Sequence, residues 1–221
     1  QQAQTLYTVP MDRVYFNYHP YAEDMALVVE NRFASDYYSY IDNDGQNVIP
    51  CIYTDAEDFS EGLAVVQDPG GLYGFLDTQG NVAIPFQYTN AGSFSQGLAY
   101  AEKNGKKYFI NKKGQPVLDV SAYSAVKEFS GGLAPVKRGN QWGCINTSGK
   151  EVIPCSYDAV TACSDGIVVA TKGGKQTGLN TAGQTVFQTS YTTVAGFSEG
   201  LAQVQKNGKY GFINTAGKEV I

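Results

Sequence analysis

The sequence predicts an all-β protein of six tandem repeats, each with about 34 residues and three short strands. The first observation is a period, because glycine recurs every 34 or 35 residues, at Gly45, Gly80, Gly114, Gly149, Gly183 and Gly217. The second is a series of repeat heads with the same spacing, at Phe59, Phe94, Phe129, Cys163 and Phe197. The third is composition: 25 glycines, 16 tyrosines and 11 phenylalanines in 221 residues are typical of many short strands joined by tight turns.

The last repeat shows how one copy is expected to fold. Residues 201–204 alternate with the period of two of a strand, and Asn207-Gly208 supplies the positive φ angles of a two-residue hairpin turn. Residues 210–213 return as strand two, residues 214–217 form a type I turn that ends in glycine, and residues 219–221 begin strand three. A three-stranded antiparallel meander of this size buries too little apolar surface to fold alone, so the copies must pack on one another.

A tyrosine lies six residues before each head, and the same offset relates Tyr15 to Tyr21, which indicates a diverged first copy. We therefore predict an N-terminal cap with the tail of a partial repeat over residues 1–20, followed by a repeat domain over residues 21–221. The predicted copies cover residues 21–58, 59–93, 94–128, 129–162, 163–196 and 197–221.

Six such meanders can stack into an open superhelical array of the solenoid kind, or close into a six-bladed propeller-like ring. We expect the open array, because three strands in about 34 residues are few for a propeller blade, which usually has four. The ring is the alternative, since the chain starts with the tail of a repeat that is able to complete the last copy.

The motifs of the repeat carry a family resemblance. Phe-Ser-Glu-Gly-Leu-Ala at 197–202, Gly-Lys-Tyr-Gly-Phe-Ile-Asn at 208–214, Gly-Lys-Glu-Val-Ile at 217–221 and the dipeptide Trp142-Gly143 resemble the WG-repeat family of bacterial proteins. The resemblance spans about residues 21–221. It implies an all-β repeat of multi-domain and surface proteins whose usual role is interaction.

Several positions of the repeat are expected to be structural. The aromatic heads Phe59, Phe94, Phe129 and Phe197 are predicted to pack repeat against repeat. Trp142 and Gly143 are read in the same way, because a residue without a Cβ atom lets a neighbouring ring or backbone approach strand two closely.

Composition and charge exclude several classes of function. No apolar run is long enough to span a membrane, so we expect no membrane insertion. The net charge is −5 and the sequence shows no clustered basic stripe, so we expect no nucleic acid partner. The cysteines Cys51, Cys144, Cys155 and Cys163 lack metal-ligand spacing, and we expect neither zinc nor a disulfide framework. The start Gln1-Gln2-Ala3-Gln4 is typical of a chain whose signal peptide has been removed, so we expect an extracytoplasmic protein (secreted, periplasmic or at the cell surface) and otherwise a cytoplasmic one.

The chain offers few groups for catalysis, and we predict no enzyme activity, no cofactor and no metal. His19 is the only histidine, which removes most histidine-based mechanisms. Residues 42–45 (Asp-Asn-Asp-Gly) resemble a calcium loop, but they coincide with the turn that every copy contains. Glu23, Asp24, Asp55, Glu57 and Asp58 are the candidates if two carboxylates converge in a glycosidase site.

Aromatic residues are the candidate ligand-binding groups. Residues 33–44 depart most from the repeat, and tyrosines crowd there beside acidic residues. Exposed rings stack on sugars or anchor proteins, and the candidate set is Tyr37, Tyr38, Tyr40 and Tyr100. Three functions follow: a scaffold or binding module that contacts another protein, which we favour; a module that binds a glycan of the cell wall or cell surface; and a carboxylate-based glycosidase.

Overall fold

The structure is a computed structural model that describes residues 17–32 and 35–221. Tyr15 and most of the predicted cap over residues 1–20 lie outside the described residues, as does Phe33. Every regular element in the described part is a β-strand, which confirms the all-β fold of tandem antiparallel repeats. Where the structure describes the chain, it contains no helix with the length and hydropathy that crossing a membrane requires.

The strands form six antiparallel sheets that follow one another along the chain. Sheet 1 contains β1 (Asn17–Tyr18), β2 (Met25–Arg32), β3 (Ser35–Asp42) and β4 (Asn47–Tyr53). Sheet 2 contains β5 (Asp55–Ala56), β6 (Leu63–Gln67), β7 (Tyr73–Asp77) and β8 (Val82–Tyr88). Sheet 3 contains β9 (Asn90–Ala91), β10 (Ala99–Lys103), β11 (Lys106–Ile110) and β12 (Pro116–Asp119).

The second half of the chain repeats this plan. Sheet 4 contains β13 (Ala125–Val126), β14 (Leu133–Arg138), β15 (Gln141–Asn146) and β16 (Glu151–Tyr157). Sheet 5 contains β17 (Ala159–Val160), β18 (Ile167–Lys172), β19 (Lys175–Asn180) and β20 (Thr185–Thr189). Sheet 6 contains β21 (Thr193–Val194), β22 (Leu201–Lys206) and β23 (Lys209–Asn214). The chain divides into two compact units, Gln1–Val117 and Leu118–Ile221.

Five of the six sheets have one strand more than the expected three-stranded meander, and in sheet 6 the third strand is reduced to a bridge between Ile213 and Glu219. A two-residue strand precedes the head and pairs with strand one, as Ala56 pairs with Val66 in sheet 2. Sheet 2 therefore begins at Asp55, before the head Phe59, and ends at Tyr88. Sequence patterns missed this strand because two residues are too few to show an alternation.

The turns follow the predicted chemistry. Asn207 and Gly208 have φ angles of 51° and 75°, as a two-residue hairpin turn of this type requires. The second turn is closed by the side chain of its first residue, because Oδ1 of Asn146 accepts the backbone N–H groups of Ser148 and Lys150. The same arrangement holds at Asp42, Asp77, Asn111, Asn180 and Asn214.

Apolar side chains fill the space between consecutive sheets of a unit. The heads Phe59, Phe94, Cys163 and Phe197 each lie in the core that their repeat shares with the sheet before it. The rings of Phe59 and Tyr40 meet edge to face with their centroids 4.9 Å apart, and those of Phe94 and Phe75 do so at 5.0 Å. The heads Phe59, Phe94, Phe129 and Phe197 are all buried, with 1–4% of their surface exposed.

Polar contacts between repeats accompany this packing at the turn after the head. Ser60 donates its hydroxyl to the carbonyl of Phe94 at 2.8 Å, and Ser130 donates to the carbonyl of Cys163 at 2.7 Å. Glu61 accepts the backbone N–H of Gly97 at 3.0 Å. Gly97 occupies the same turn position as Gly62, one repeat later. In these pairs of repeats, the turn after the head therefore joins one repeat to the next.

Gly143 lies where strand three bulges against strand two. The register of β15 and β16 shifts between Trp142 and Cys144, so the backbone of strand three passes over the glycine. A Cβ atom at Gly143 would lie 2.7 Å from the nitrogen of Cys155 and closer still to the carbonyl oxygen of Ile153. Since these neighbours are backbone atoms, they have little freedom to move aside.

We expect Gly143→Ala to lower the free energy of unfolding by about 1–3 kcal/mol, because the added methyl group forces strand three away. Chemical denaturation monitored by tryptophan fluorescence measures this loss. Gly196→Ala is the matched control, since a Cβ atom there meets nothing within 4 Å. A loss at Gly143 no larger than that at Gly196 would contradict the close approach of strand three.

Candidate binding surface

Paired aromatic rings recur at the edge of the cores, where strand two begins. Tyr38 pairs with Tyr53 across the strands, and Tyr73 pairs with Tyr88. Trp142 pairs with Tyr157 in the second unit. Tyr38, Tyr73 and Trp142 are half-buried, so one part of each ring packs on the core while another part reaches the surface.

Tyr40 is corrected from a candidate ligand-binding residue to a core residue. Its side chain is fully buried, and its hydroxyl donates to the carbonyl oxygen of Glu57 at 2.6 Å. Burial raises the pKa of Tyr40, and the nearby charges of Asp58 and Glu57 raise it further. The position corresponds to Phe75, which shows that Tyr40 takes the ring site of the inter-sheet core.

Tyr37 and Tyr38 point to opposite faces of β3, because they are neighbours in one strand. Tyr38 packs against the core between sheets 1 and 2, whereas Tyr37 lies on the other face, opposite Glu30 in the register. The crowding of tyrosines in the sequence therefore does not make one aromatic cluster. Tyr40 packs on Phe59 inside the core, and Tyr38 is the half-buried tyrosine that packs at the edge of that core.

Asp55 links the rings of the first two repeats. The hydroxyl of Tyr73 donates to Oδ2 of Asp55 at 2.7 Å. Burial, and after it the hydrogen bond and charge of Asp55, raise the pKa of Tyr73 to about 12. Burial also raises the pKa of Tyr38, and the charges of Asp55 and Asp36 raise it further. We call the surface formed by Tyr38, Asp55 and Tyr73 the tyrosine rim.

Tyr100 lies away from the tyrosine rim, on β10 of sheet 3. Its hydroxyl donates to Oε2 of Glu102 at 3.3 Å. Burial, and after it Glu102, raise the pKa of Tyr100 to about 12. The structure thus brings none of the other three candidate tyrosines to Tyr100.

Sequence reasoning did not select Tyr73 as a site residue. It named Asp55 only as one of five candidate carboxylates for a glycosidase site. The repeat is the signal that relates the two residues. Asp55 on the short strand and Tyr73 on strand two both pair with Gln67 of strand one.

All five candidate carboxylates accept hydrogen bonds from the protein. Glu23 accepts the N–H of Gly62 at 2.6 Å, and Asp24 accepts the amide of Asn43 at 2.9 Å. Asp55 binds Tyr73, Glu57 accepts the hydroxyl of Ser93, and Asp58 lies 3.0 Å from Nδ1 of His19.

The calcium-like segment over residues 42–45 is a turn of the repeat. Oδ1 of Asp42 accepts the N–H groups of Asp44 and Gln46 at 3.0 and 2.8 Å. Among the described residues, no group of three or more His, Cys, Asp or Glu side chains is placed to hold a metal ion.

We expect a titration of tyrosinate absorbance, taken as wild type minus Tyr73→Phe, to give a pKa of about 12 for Tyr73. Asp55→Asn removes the negative charge that opposes ionisation, so it lowers this pKa, whereas the control Asp77→Asn leaves it unchanged. Because the unfolded chain ionises first, the stability contributed by neutral Tyr73 is present below pH 10 and lost as the pH rises to about 12. An unchanged pKa in Asp55→Asn would contradict the contact.

Comparisons with known proteins place this fold among its relatives. No curated protein matches the sequence. The chain is similar in fold to the crystal structure of the computationally designed Ika8 protein, with a TM-score of 0.51, 14% identity, and 88% of this chain and 69% of that chain covered. It is similar to BamB from Moraxella catarrhalis with a TM-score of 0.54, 13% identity, and 90% and 70% of the two chains covered.

The repeats themselves match a family model. The model described as "WG containing repeat" matches residues 38–71, 73–106, 109–142, 142–175 and 179–210. These matches begin near strand two and run into strand one of the next sheet, so the family model divides the repeat at a different point from our predicted copies. Together they cover well over half of the sequence, and the chain belongs to the WG containing repeat family.

Proposed function

We propose that the chain is a non-catalytic repeat module that binds another protein, with the tyrosine rim as the contact surface of the first unit. The observation that carries the proposal is the hydrogen bond from Tyr73 to Asp55, which fixes a half-buried ring at the surface. Membership in a repeat family supports the same role, since repeat arrays present broad surfaces to macromolecular partners.

A ring that is already held in place suits protein recognition. Tyrosine offers a large contact area with few rotatable bonds, and fixing its hydroxyl in advance lowers the entropy that binding must remove. Tyr38 and Tyr73 both pack on the core with one part of the ring, so a partner meets them in a defined orientation. Tyrosine is also enriched among the residues that dominate binding energy.

The charges around the rings indicate the chemistry of the partner. Asp36 and Asp55 are near enough to Tyr38 to raise its pKa. An arginine or lysine of a partner can lie over such a ring and pair with a carboxylate at the same time. The tyrosine rim therefore favours a protein that presents a basic side chain.

The hydrogen bonds of the acidic residues favour binding over catalysis. A general acid or nucleophile must be free to meet a substrate. Glu23 and Glu57 instead accept hydrogen bonds from other repeats, at Gly62 and Ser93, and so join repeat to repeat. We also propose that the protein is extracytoplasmic. A glycan as the partner is the alternative that the experiment below tests.

The test is affinity capture of envelope proteins of the source cells on the immobilised full chain, with quantitative mass spectrometry. We expect wild type to enrich a protein that Asp36→Lys/Asp55→Lys loses, because the variant reverses the charge beside the rings. Asp44→Lys/Glu199→Lys carries the same change in charge at residues that do not belong to the tyrosine rim, and it should retain the protein.

Two outcomes would contradict the proposal. One is that no captured protein distinguishes the rim variant from the control variant. The other is that the rim variant loses binding only on a glycan array, which would assign the tyrosine rim to a sugar.

A further inference from the structure

We propose that the second unit carries a separate, basic surface that binds an acidic segment of a polypeptide. It goes beyond the proposed function, because it lies on other repeats and takes a partner of opposite charge. We call this surface the basic rim. It consists of Lys127, Lys137 and Lys172 around the rings of Trp142 and Tyr157, together with Arg138, which lies over Tyr123 on the other face of β14.

The three lysines of the basic rim lie close to the rings of Trp142 and Tyr157. Nζ of Lys127 lies 5.0 Å from the ring centroid of Trp142, and Nζ of Lys137 lies 5.7 Å from it. Lys172 reaches over from sheet 5, and its Nζ is 6.0 Å from the ring of Tyr157. Because these ammonium groups lie over aromatic rings, attraction to the rings holds them at the surface.

Arg138 completes the surface and is partly neutralised. It lies 5.0 Å from the ring of Tyr123 and forms an ion pair with Glu151 at 3.0 Å. Asp158 is another nearby acid, and it accepts the N–H of Gly173 at 2.7 Å. Glu128 follows Lys127 in sequence and is exposed. The three lysines therefore carry most of the charge that a partner would meet.

Sheet 2 of the first unit provides an internal comparison, since two of the same repeat positions there carry the opposite charge. Glu57 corresponds to Lys127: each donates its backbone N–H to strand one, to Val65 at 3.1 Å and to Pro135 at 2.9 Å. Asp68 corresponds to Arg138, because each follows the residue of strand one that pairs with the ring of strand two.

The fold thus accepts either charge at these positions, and the packing of the sheets does not require lysine or arginine there. The two units also differ as a whole: residues 118–221 contain nine Lys or Arg and seven Asp or Glu, whereas residues 1–117 contain seven and fourteen. The fold does not need this cluster of like charges around the exposed edges of aromatic rings. An anionic partner explains it.

Several features favour an acidic polypeptide among anionic partners. Lysines recur at the same hairpin in consecutive sheets, at Lys172 and Lys206 after Arg138. Packed sheets lie about 10 Å apart, and an extended peptide advances about 10 Å in three residues. An acidic residue at every third position of such a peptide would therefore meet each hairpin in turn. The rings of Trp142 and Tyr157 offer apolar contact to the residues between these acids. Nucleic acid is disfavoured, because Glu128, Glu151 and Asp158 interrupt the positive charge that a phosphate backbone needs.

The test is fluorescence anisotropy of the full chain with a labelled peptide that has glutamate at every third position and alanine or serine between. We expect saturable binding that weakens as salt is added, and no binding of the same peptide with glutamine in place of glutamate. Lys127→Glu/Arg138→Asp installs the residues of the first unit and should weaken binding by about tenfold or more.

Lys150→Glu/Lys218→Glu is the matched control, with the same change in charge at the opposite end of the sheets, and it should leave affinity within about twofold. Thermal unfolding shows whether the site variant folds. Lys172→Gln, which changes one exposed side chain, provides a second variant and should weaken binding by a smaller factor.

Equal losses in the site and control variants would overturn the proposal, as would binding of the glutamine peptide. Stronger binding of polygalacturonate or single-stranded DNA than of the peptide, at equal concentrations of charge, would overturn the assignment to a polypeptide. Since the tyrosine rim lies in the first unit, each of these results leaves the proposed function standing.

Discussion

The packing of one repeat's head against the ring site of the preceding sheet is the interaction on which the rest of this structure depends. A sheet of about 30 residues buries too little apolar surface to be stable by itself. Phe59 packs on Tyr40 and Phe94 packs on Phe75, so each core is completed by the next repeat. Hydrogen bonds such as that from Ser60 to the carbonyl of Phe94 then fix how the sheets meet.

This constraint acts on the volume of the core more than on the identity of residues. In sheet 5, Gly178 occupies the strand-two position that holds an aromatic residue in sheets 1 and 2. Its partner on strand three, Phe187, supplies the ring instead. Phe197 packs on that ring with centroids 6.0 Å apart. In sheet 4 the strand-two residue and the following head are both cysteines, Cys144 and Cys163, and both are buried. The edge of the core is under no such constraint, which leaves the rim positions free to differ between repeats.

The sequence predicted the features that recur and missed those that differ between copies. The period, the hairpin turn at Asn207-Gly208 and the buried aromatic heads follow from patterns that the copies repeat. Tyr40 was misjudged because a tyrosine in a polar segment is indistinguishable by pattern from a buried one, and only the register shows that it occupies the site of Phe75. The basic rim was invisible for another reason: its lysines come from Lys127 to Lys172 along the chain and meet only when the sheets pack.

A double-mutant cycle between Phe75 and Phe94 tests the central claim most directly. The free energy of unfolding would be measured for wild type, for each leucine variant and for the double variant. The account predicts a coupling energy of about 0.5–1.5 kcal/mol, because the two rings meet edge to face across neighbouring repeats. A parallel cycle between Phe94 and Phe187, which belong to different core clusters, should be additive within about 0.5 kcal/mol. Additivity of the Phe75 and Phe94 variants would contradict the claim that head rings hold the repeats together.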